Sequence, residues 1–82
     1  MNINFEELVL GIVKPLVNNP DDVLVKTLDA EDNLITIQVL CNKEDLGRII
    51  GKNGKIATAI RTIAYAGASK EGKRVKIDIE TF

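Results

Sequence analysis

At 82 residues, with 45% hydrophobic, 28% charged and 4% aromatic side chains, the chain has room for one core, burying little more than ~60% of its unfolded surface. This ordinary composition excludes disorder, collagen-like repeats and a disulfide scaffold, and the lack of histidine with a lone cysteine, Cys41, removes the usual metal ligands and the commonest general base. The net charge of −1 speaks against nucleic acid only as a sum: residues 1–42 hold two basic and seven acidic side chains, whereas residues 43–76 hold nine basic and three acidic ones, enough for one basic face on an acidic body.

Phe5, Leu8, Val9, Ile12, Val13 and Leu16 recur at helical spacing behind an N-cap signal, Asn4 followed by Glu7. Pro15 clashes with the carbonyl of Gly11, so the last turn is expected to kink before Asn18-Asn19-Pro20 ends it. Residues 23–28 read as a strand, Asp29 to Asn33 as a polar turn, and residues 34–41 as a second strand in which Ile35, Ile37, Val39 and Cys41 share one face. A short helix over residues 43–50 is broken by Gly51-Lys52-Asn53-Gly54, and helical spacing resumes at Lys55 and runs to about Gly67 or Ala68. After a loop at residues 69–72, Val75, Ile77 and Ile79 alternate with charged residues in a last strand over 73–80. The expected domain is a single α+β unit spanning 1–82: helix and hairpin at 1–41, helix, glycine turn and helix at 43–68, then the last strand. Its order is α-β-β-α-α-β, with an antiparallel hairpin, a parallel second pair and three helices on one face of a mixed three-stranded sheet.

The chemistry concentrates at the glycine turn. Gly51 and Gly54 let the backbone bend sharply and approach a ligand, and the helix that follows presents free N–H groups and positive dipole to an anion. Lys52, Lys55 and Arg48 add positive charge, Asn53 a neutral donor, and Ile50 and Ile56 an apolar wall. A phosphate chain with bases packed beside it suits such a groove. A nucleotide-hydrolysing phosphate loop does not, because Gly47 and Gly51 enclose three residues where that motif needs four and Asn53 follows Lys52 in place of Ser or Thr. Phe5, Tyr65 and Phe82, the aromatics, form no strand platform for stacking bases.

Gly47-Arg48-Ile49-Ile50-Gly51-Lys52-Asn53-Gly54-Lys55, between two helices, resembles the Ile-Gly-x-x-Gly signature of KH domains. With the extra helix and strand on the N-terminal side, the topology is similar to type II KH domains. Together with Ile12-Val13-Lys14-Pro15-Leu16-Val17 and Ala59-Ile60-Arg61-Thr62-Ile63, the chain resembles the small bacterial RNA-binding proteins of the KhpA family along essentially its whole length. The resemblance implies that residues 51–54 clamp about four nucleotides of single-stranded RNA, and that Arg74 and Lys76, with Lys70 and Lys73, extend the basic track. It further implies an RNA chaperone or post-transcriptional regulator, partnered by a second KH protein of the KhpB or Jag type and linked to cell-wall synthesis, cell shape and cell length.

Between Ile56 and Ser69 the one charged residue is Arg61. Arg61, Thr62, Ile63 and Tyr65 are therefore candidate dimer contacts. Cys41, in phase with the apolar face of its strand, reads as a buried inert thiol. No apolar run approaches the ~20 residues that cross a bilayer, and Glu6 and Glu7 stand where a signal peptide would be basic. The expectation is a cytoplasmic, non-enzymatic protein with neither metal nor cofactor. The rival reading is a KH fold kept as a protein-interaction scaffold that does not grip RNA.

Overall fold

The structure is a computed structural model that describes residues 4–31 and 33–82. Asn4 caps the first helix, its Oδ1 accepting from the Glu7 backbone N–H at 3.1 Å, and α1 runs Phe5–Val13 with Phe5, Val9 and Val13 buried. The chain then tightens into a 3-10 turn over Lys14–Leu16, with Pro15 at a position that needs no N–H donor. A second 3-10 turn at Pro20–Asp22 leads into the sheet.

Strands β1 (Leu24–Glu31) and β2 (Leu34–Cys41) form an antiparallel hairpin, and β3 (Arg74–Thr81) lies parallel to β2, giving the order β1-β2-β3. The expected turn at Asp29–Asn33 is shorter than read from sequence. Asp29, Ala30 and Glu31 pair with Thr36, Ile35 and Leu34, after a bulge between Thr27 and Asp29. Backbone pairing with an obligatory strand partner overrides the weak strand preference of Asp and Glu. Asp32, the remaining position of that expected turn beside Asn33, lies outside the described residues. The Asn33 carbonyl accepts from the Arg74 N–H at 2.6 Å, tying the end of the hairpin to the start of β3.

Beyond β2 a 3-10 turn at Lys43–Asp45 opens α2 (Leu46–Ile50), and α3 (Lys55–Lys70) follows the glycine turn. Helix α3 extends past the expected end at Gly67 or Ala68 because Gly72, at φ +69°, closes it: the Lys73 N–H donates to the Ala68 carbonyl at 2.8 Å and the Gly72 N–H to Ser69 at 3.1 Å. All three helices cover the same face of the sheet. Val9, Val13, Ile37, Val39, Cys41, Ile49, Ile60, Ala64, Ala68 and Ile77 are all but fully enclosed there. The arrangement is the α+β fold with a mixed sheet that the sequence implies.

Candidate nucleic-acid interface

The turn between α2 and α3 is built from backbone conformations that few residues accept. Gly51 sits at φ +77°, ψ 174°, Asn53 at φ +57°, ψ 26°, and Gly54 at φ +73°, ψ 13°. The Gly51 N–H closes α2 on Gly47 at 2.8 Å, and the Gly54 N–H closes the turn on Gly51 at 3.2 Å. Gly51 is required twice over, since a Cβ placed there would lie 2.6 Å from Cγ1 of Ile56, which folds back over it. Asn53 is the one non-glycine residue with positive φ among those described. Asn tolerates that region better than most side chains, so it shapes the turn as well as offering a donor.

Lys52 and Lys55 are exposed, and among the described residues neither is in an ion pair. Helix α3 has no side-chain cap at Gly54, so the positive end of a 16-residue helix opens onto the turn. Ile50 and Ile56 are half-buried, each showing part of its surface. Ile50, Lys52, Asn53, Lys55 and Ile56 thus lie together around the turn.

Arg48 is tied elsewhere. Its Nη1 donates to the Glu44 carbonyl at 2.9 Å and to Asp45 Oδ1 at 3.3 Å. Asp45 is fully enclosed and accepts from the Asn18 N–H at 3.1 Å, the Asn19 N–H at 3.0 Å and the Asn19 side-chain amide at 3.0 Å. Burial alone would push its carboxyl up, but those donors and the Arg48 charge outweigh it and hold the group below the ordinary carboxylate range. The sequence analysis missed this clamp, which fastens the segment after α1 to the base of α2. An acid directly before a short apolar helix was its one signal. Burial, with Asp45 adding to it, pushes the Cys41 thiol up, as suits an inert core cysteine.

Of the remaining candidates, Arg61 and Tyr65 lie at the seam between α3 and β3. Arg61 donates through Nε and Nη2 to the Ile77 carbonyl at 3.4 and 3.1 Å, while Tyr65 and Ser69 line a cleft with Lys73, Arg74 and Val75. The helix thus runs antiparallel to the strand, and the seam leads from the glycine turn to Arg74. Lys76, alternating with buried Val75 and Ile77 and registered beside Thr36, projects on the uncovered face of the sheet. Thr62 donates to the Thr58 carbonyl at 2.9 Å, and Ile63 is 48% exposed. Among the described residues no three His, Cys, Asp or Glu side chains gather to hold a metal, and no helix is long and apolar enough to cross a membrane.

The sequence model of the KhpA/KhpB KH domain matches residues 6–79. The chain belongs to the KhpA/KhpB KH-domain family. Its relatives include proteins named RNA-binding protein KhpA from Listeria monocytogenes, 50% identical over 90% of this chain and 96% of that protein, and from Clostridium perfringens, 45% identical over 90% and 97%. The Bacillus subtilis protein of the same name is 38% identical over 93% of each. Two solved structures of Era share the KH-type fold. A crystal structure of Aquifex aeolicus Era bound to GDP·AlF4− superposes with a TM-score of 0.69 at 19% identity, over 95% of this chain and 30% of that one. Era in complex with MgGDPNP and nucleotides 1506–1542 of 16S ribosomal RNA gives 0.57 at 23%, over 94% and 29%. This chain thus corresponds to under a third of Era, and the likeness is one of fold.

Proposed function

We propose that this KH domain binds single-stranded RNA, clamping about four nucleotides at the Gly51–Gly54 turn. One observation carries the reading: three positive-φ residues, Gly51, Asn53 and Gly54, bend the chain at the start of α3, which has no side-chain cap, beside exposed Lys52, which is in no ion pair among the described residues. Backbone N–H groups and Lys52 take the phosphates, Asn53 donates to the same strand, and Lys55 supplies charge from the first turn of the helix. Ile50 and Ile56 form the apolar wall for the bases. Arg48 acts on the strand through the brace it builds at the base of α2, and Arg74 marks the far end of the track. Lys76 adds long-range positive field from the other side of β3. The name RNA-binding protein KhpA carried by relatives at 38–50% identity supports this assignment.

In the cell, the reading is a cytoplasmic RNA chaperone or post-transcriptional regulator. It pairs with a second copy or with a KhpB/Jag-type KH protein and bears on cell-wall synthesis, cell shape and cell length. The self-contact lies on the exposed flank of α3 around Ile63, with Thr62 and the small Ala59 and Ala66 beside it. Arg61, anchored on Ile77, stiffens the helix beneath.

The decisive experiment is Lys52→Asp with Asn53→Asp. Both positions are exposed and Asp tolerates positive φ, so the fold is expected to survive while charge reverses. RNA retention in a filter or mobility-shift assay should collapse, and log K of the unmodified protein should fall with log salt by about 0.7 per phosphate contact. Undiminished retention by the folded variant would sink the RNA reading and favour a protein-interaction scaffold.

A further inference from the structure

The face of the sheet turned away from the helices is neither bare of apolar residues nor evenly charged. Strand alternation gives it Leu34, Thr36, Gln38 and Leu40 from β2 and Arg74, Lys76, Asp78 and Glu80 from β3, because the residues between them are the ones packed into the core. The two rows lie in register, Leu34 beside Arg74, Thr36 beside Lys76, Gln38 beside Asp78 and Leu40 beside Glu80. Along β2 the order is apolar, polar, polar, apolar; along β3 it is two cations and then two anions. We infer that this face pairs with the same face of a second copy turned end for end, an isologous contact separate from the one on α3. It is independent of RNA, since the Gly51–Gly54 turn belongs to the helical layer on the other side of the domain.

The face is its own complement. A two-fold axis across the strands, between the rows of Thr36 and Gln38, lays Lys76 over Asp78 of the second copy and Arg74 over its Glu80, and symmetry repeats both pairs. The same rotation sets Leu34 against Leu40 and Thr36 against Gln38. Among the described residues none of the four charges is in an ion pair, and Glu80 takes one hydrogen bond, from Gln38 at 2.6 Å. Lys76 and Asp78 do not satisfy each other along their own strand, because two residues span ~6.6 Å. Lys26, on β1, lies two strands from this charged stripe, ~10 Å away and about a Debye length off. Leu34 is 40% exposed, and Leu24, 44% exposed, extends the other apolar end beside Leu40. Three strands of eight residues present a face of roughly 26 by 14 Å, well short of the ~800 Å² that each partner of a stable complex buries. The contact is therefore weak and forms at high protein concentration. With a second two-fold contact on the helical layer, it links pairs of subunits into larger assemblies.

The test is sedimentation equilibrium of the RNA-free protein over a rising range of concentration. The mean mass of the unmodified protein should rise with concentration, and added salt should weaken that rise. Lys76→Glu and Asp78→Lys each set like charges opposite one another, so each should weaken the association about tenfold or more. An equimolar mixture of the two should regain it, because the reversed position 76 of one chain then faces the reversed position 78 of the other, and the two unaltered positions face each other. One chain carrying both Lys76→Glu and Asp78→Lys keeps the charge balance of its strand, and it should associate with itself as the unmodified protein does. A mass that does not rise with concentration, single variants that associate undiminished, or a mixture that stays at the mass of its components overturns the contact. Rescue of Asp78→Lys by Lys26→Glu in place of Lys76→Glu overturns the end-for-end arrangement, since it would put β3 over β1.

Discussion

Replacing Gly51 by alanine should cost far more than replacing Gly54, although both glycines belong to one four-residue turn and both have positive φ. At Gly51 the φ +77°, ψ 174° conformation is one that only glycine adopts freely, and holding another residue there costs ~1–3 kcal/mol. The new Cβ would also stand 2.6, 2.8 and 2.9 Å from Cγ1, Cβ and Cδ1 of Ile56. One of these atoms, Cβ, is bonded directly to the α3 backbone and no side-chain rotation moves it, so relief requires the helix start to move, a further ~1–3 kcal/mol of overpacking. The total, ~2–6 kcal/mol, is a large part of the ~4–12 kcal/mol expected for a domain of this length. Gly54 lies in the ordinary left-handed region at φ +73°, ψ 13°, and a Cβ there meets nothing within 4 Å, so alanine costs only ~1–2 kcal/mol. Urea unfolding followed by circular dichroism should place Gly51→Ala about 1 M below Gly54→Ala in midpoint, taking the middle of these ranges and a slope of ~2 kcal/mol per molar. A double-mutant cycle with Ile56→Ala reads the share due to Cγ1 and Cδ1, and since alanine keeps the Cβ it should return only part of the ~1–3 kcal/mol steric cost. Equal midpoints for the two glycine variants, or no coupling to Ile56, would refute the idea that Ile56 lies across Gly51.

Asp45→Asn should be less stable than the unmodified protein at neutral pH, with the deficit narrowing as pH falls. The folded carboxyl is held below the value of about 3.9 that it has unfolded, so its contribution is complete above about pH 4 and fades as pH drops through the folded value. Thermal melts across that range would show a constant deficit if the carboxylate charge were immaterial. Asn53→Gly should leave unfolding nearly unchanged, whereas Asn53→Val, a β-branched side chain at φ +57°, should lower the melting temperature by several degrees. Equal melts for the two would mean that position 53 is not held left-handed. Arg48→Gln should reduce the salt dependence of RNA binding by less than Lys52→Gln, since Nη1 of Arg48 is already engaged by Glu44 and Asp45. A loss of about 0.7 in both variants would instead put Arg48 on a phosphate.

How much of this was legible depended on whether a feature is written in local periodicity or in contacts between distant segments. The alternation of Ile35, Ile37, Val39 and Cys41, and of Val75 and Ile77, fixes which strand face is buried, and the glycine pair marks the break between α2 and α3. The end of α3 was misjudged although its signal was present, for Gly72 one position past the cap is what terminates the helix. The Asp45 clamp was illegible in a stronger sense. Its donors come from Asn18 and Asn19, more than twenty residues upstream, and an acidic residue in a charged segment looks like solvated surface until that loop closes over it.

The clamp changes what the glycine turn depends on. Helix α2 has five residues, too few to hold itself together in water, yet it must present Gly51 at a fixed angle to α3. Buried Ile49 anchors one side of that helix in the core. Asp45 fastens its base to Asn18 and Asn19, and Arg48 joins the Asp45 carboxylate to the Glu44 carbonyl one turn back. The segment after α1, through Asn18 and Asn19, therefore helps to supply the rigidity against which the basic turn is aimed. This predicts that weakening the clamp loosens the turn before it unfolds the sheet. In Asp45→Asn, amide hydrogen exchange at residues 46–54 should accelerate well beyond that of the β2 amides, which should speed up only by the loss of global stability that the melts record. Uniform acceleration through both segments would show instead that Asp45 stabilises the domain as a whole and does nothing particular for the turn.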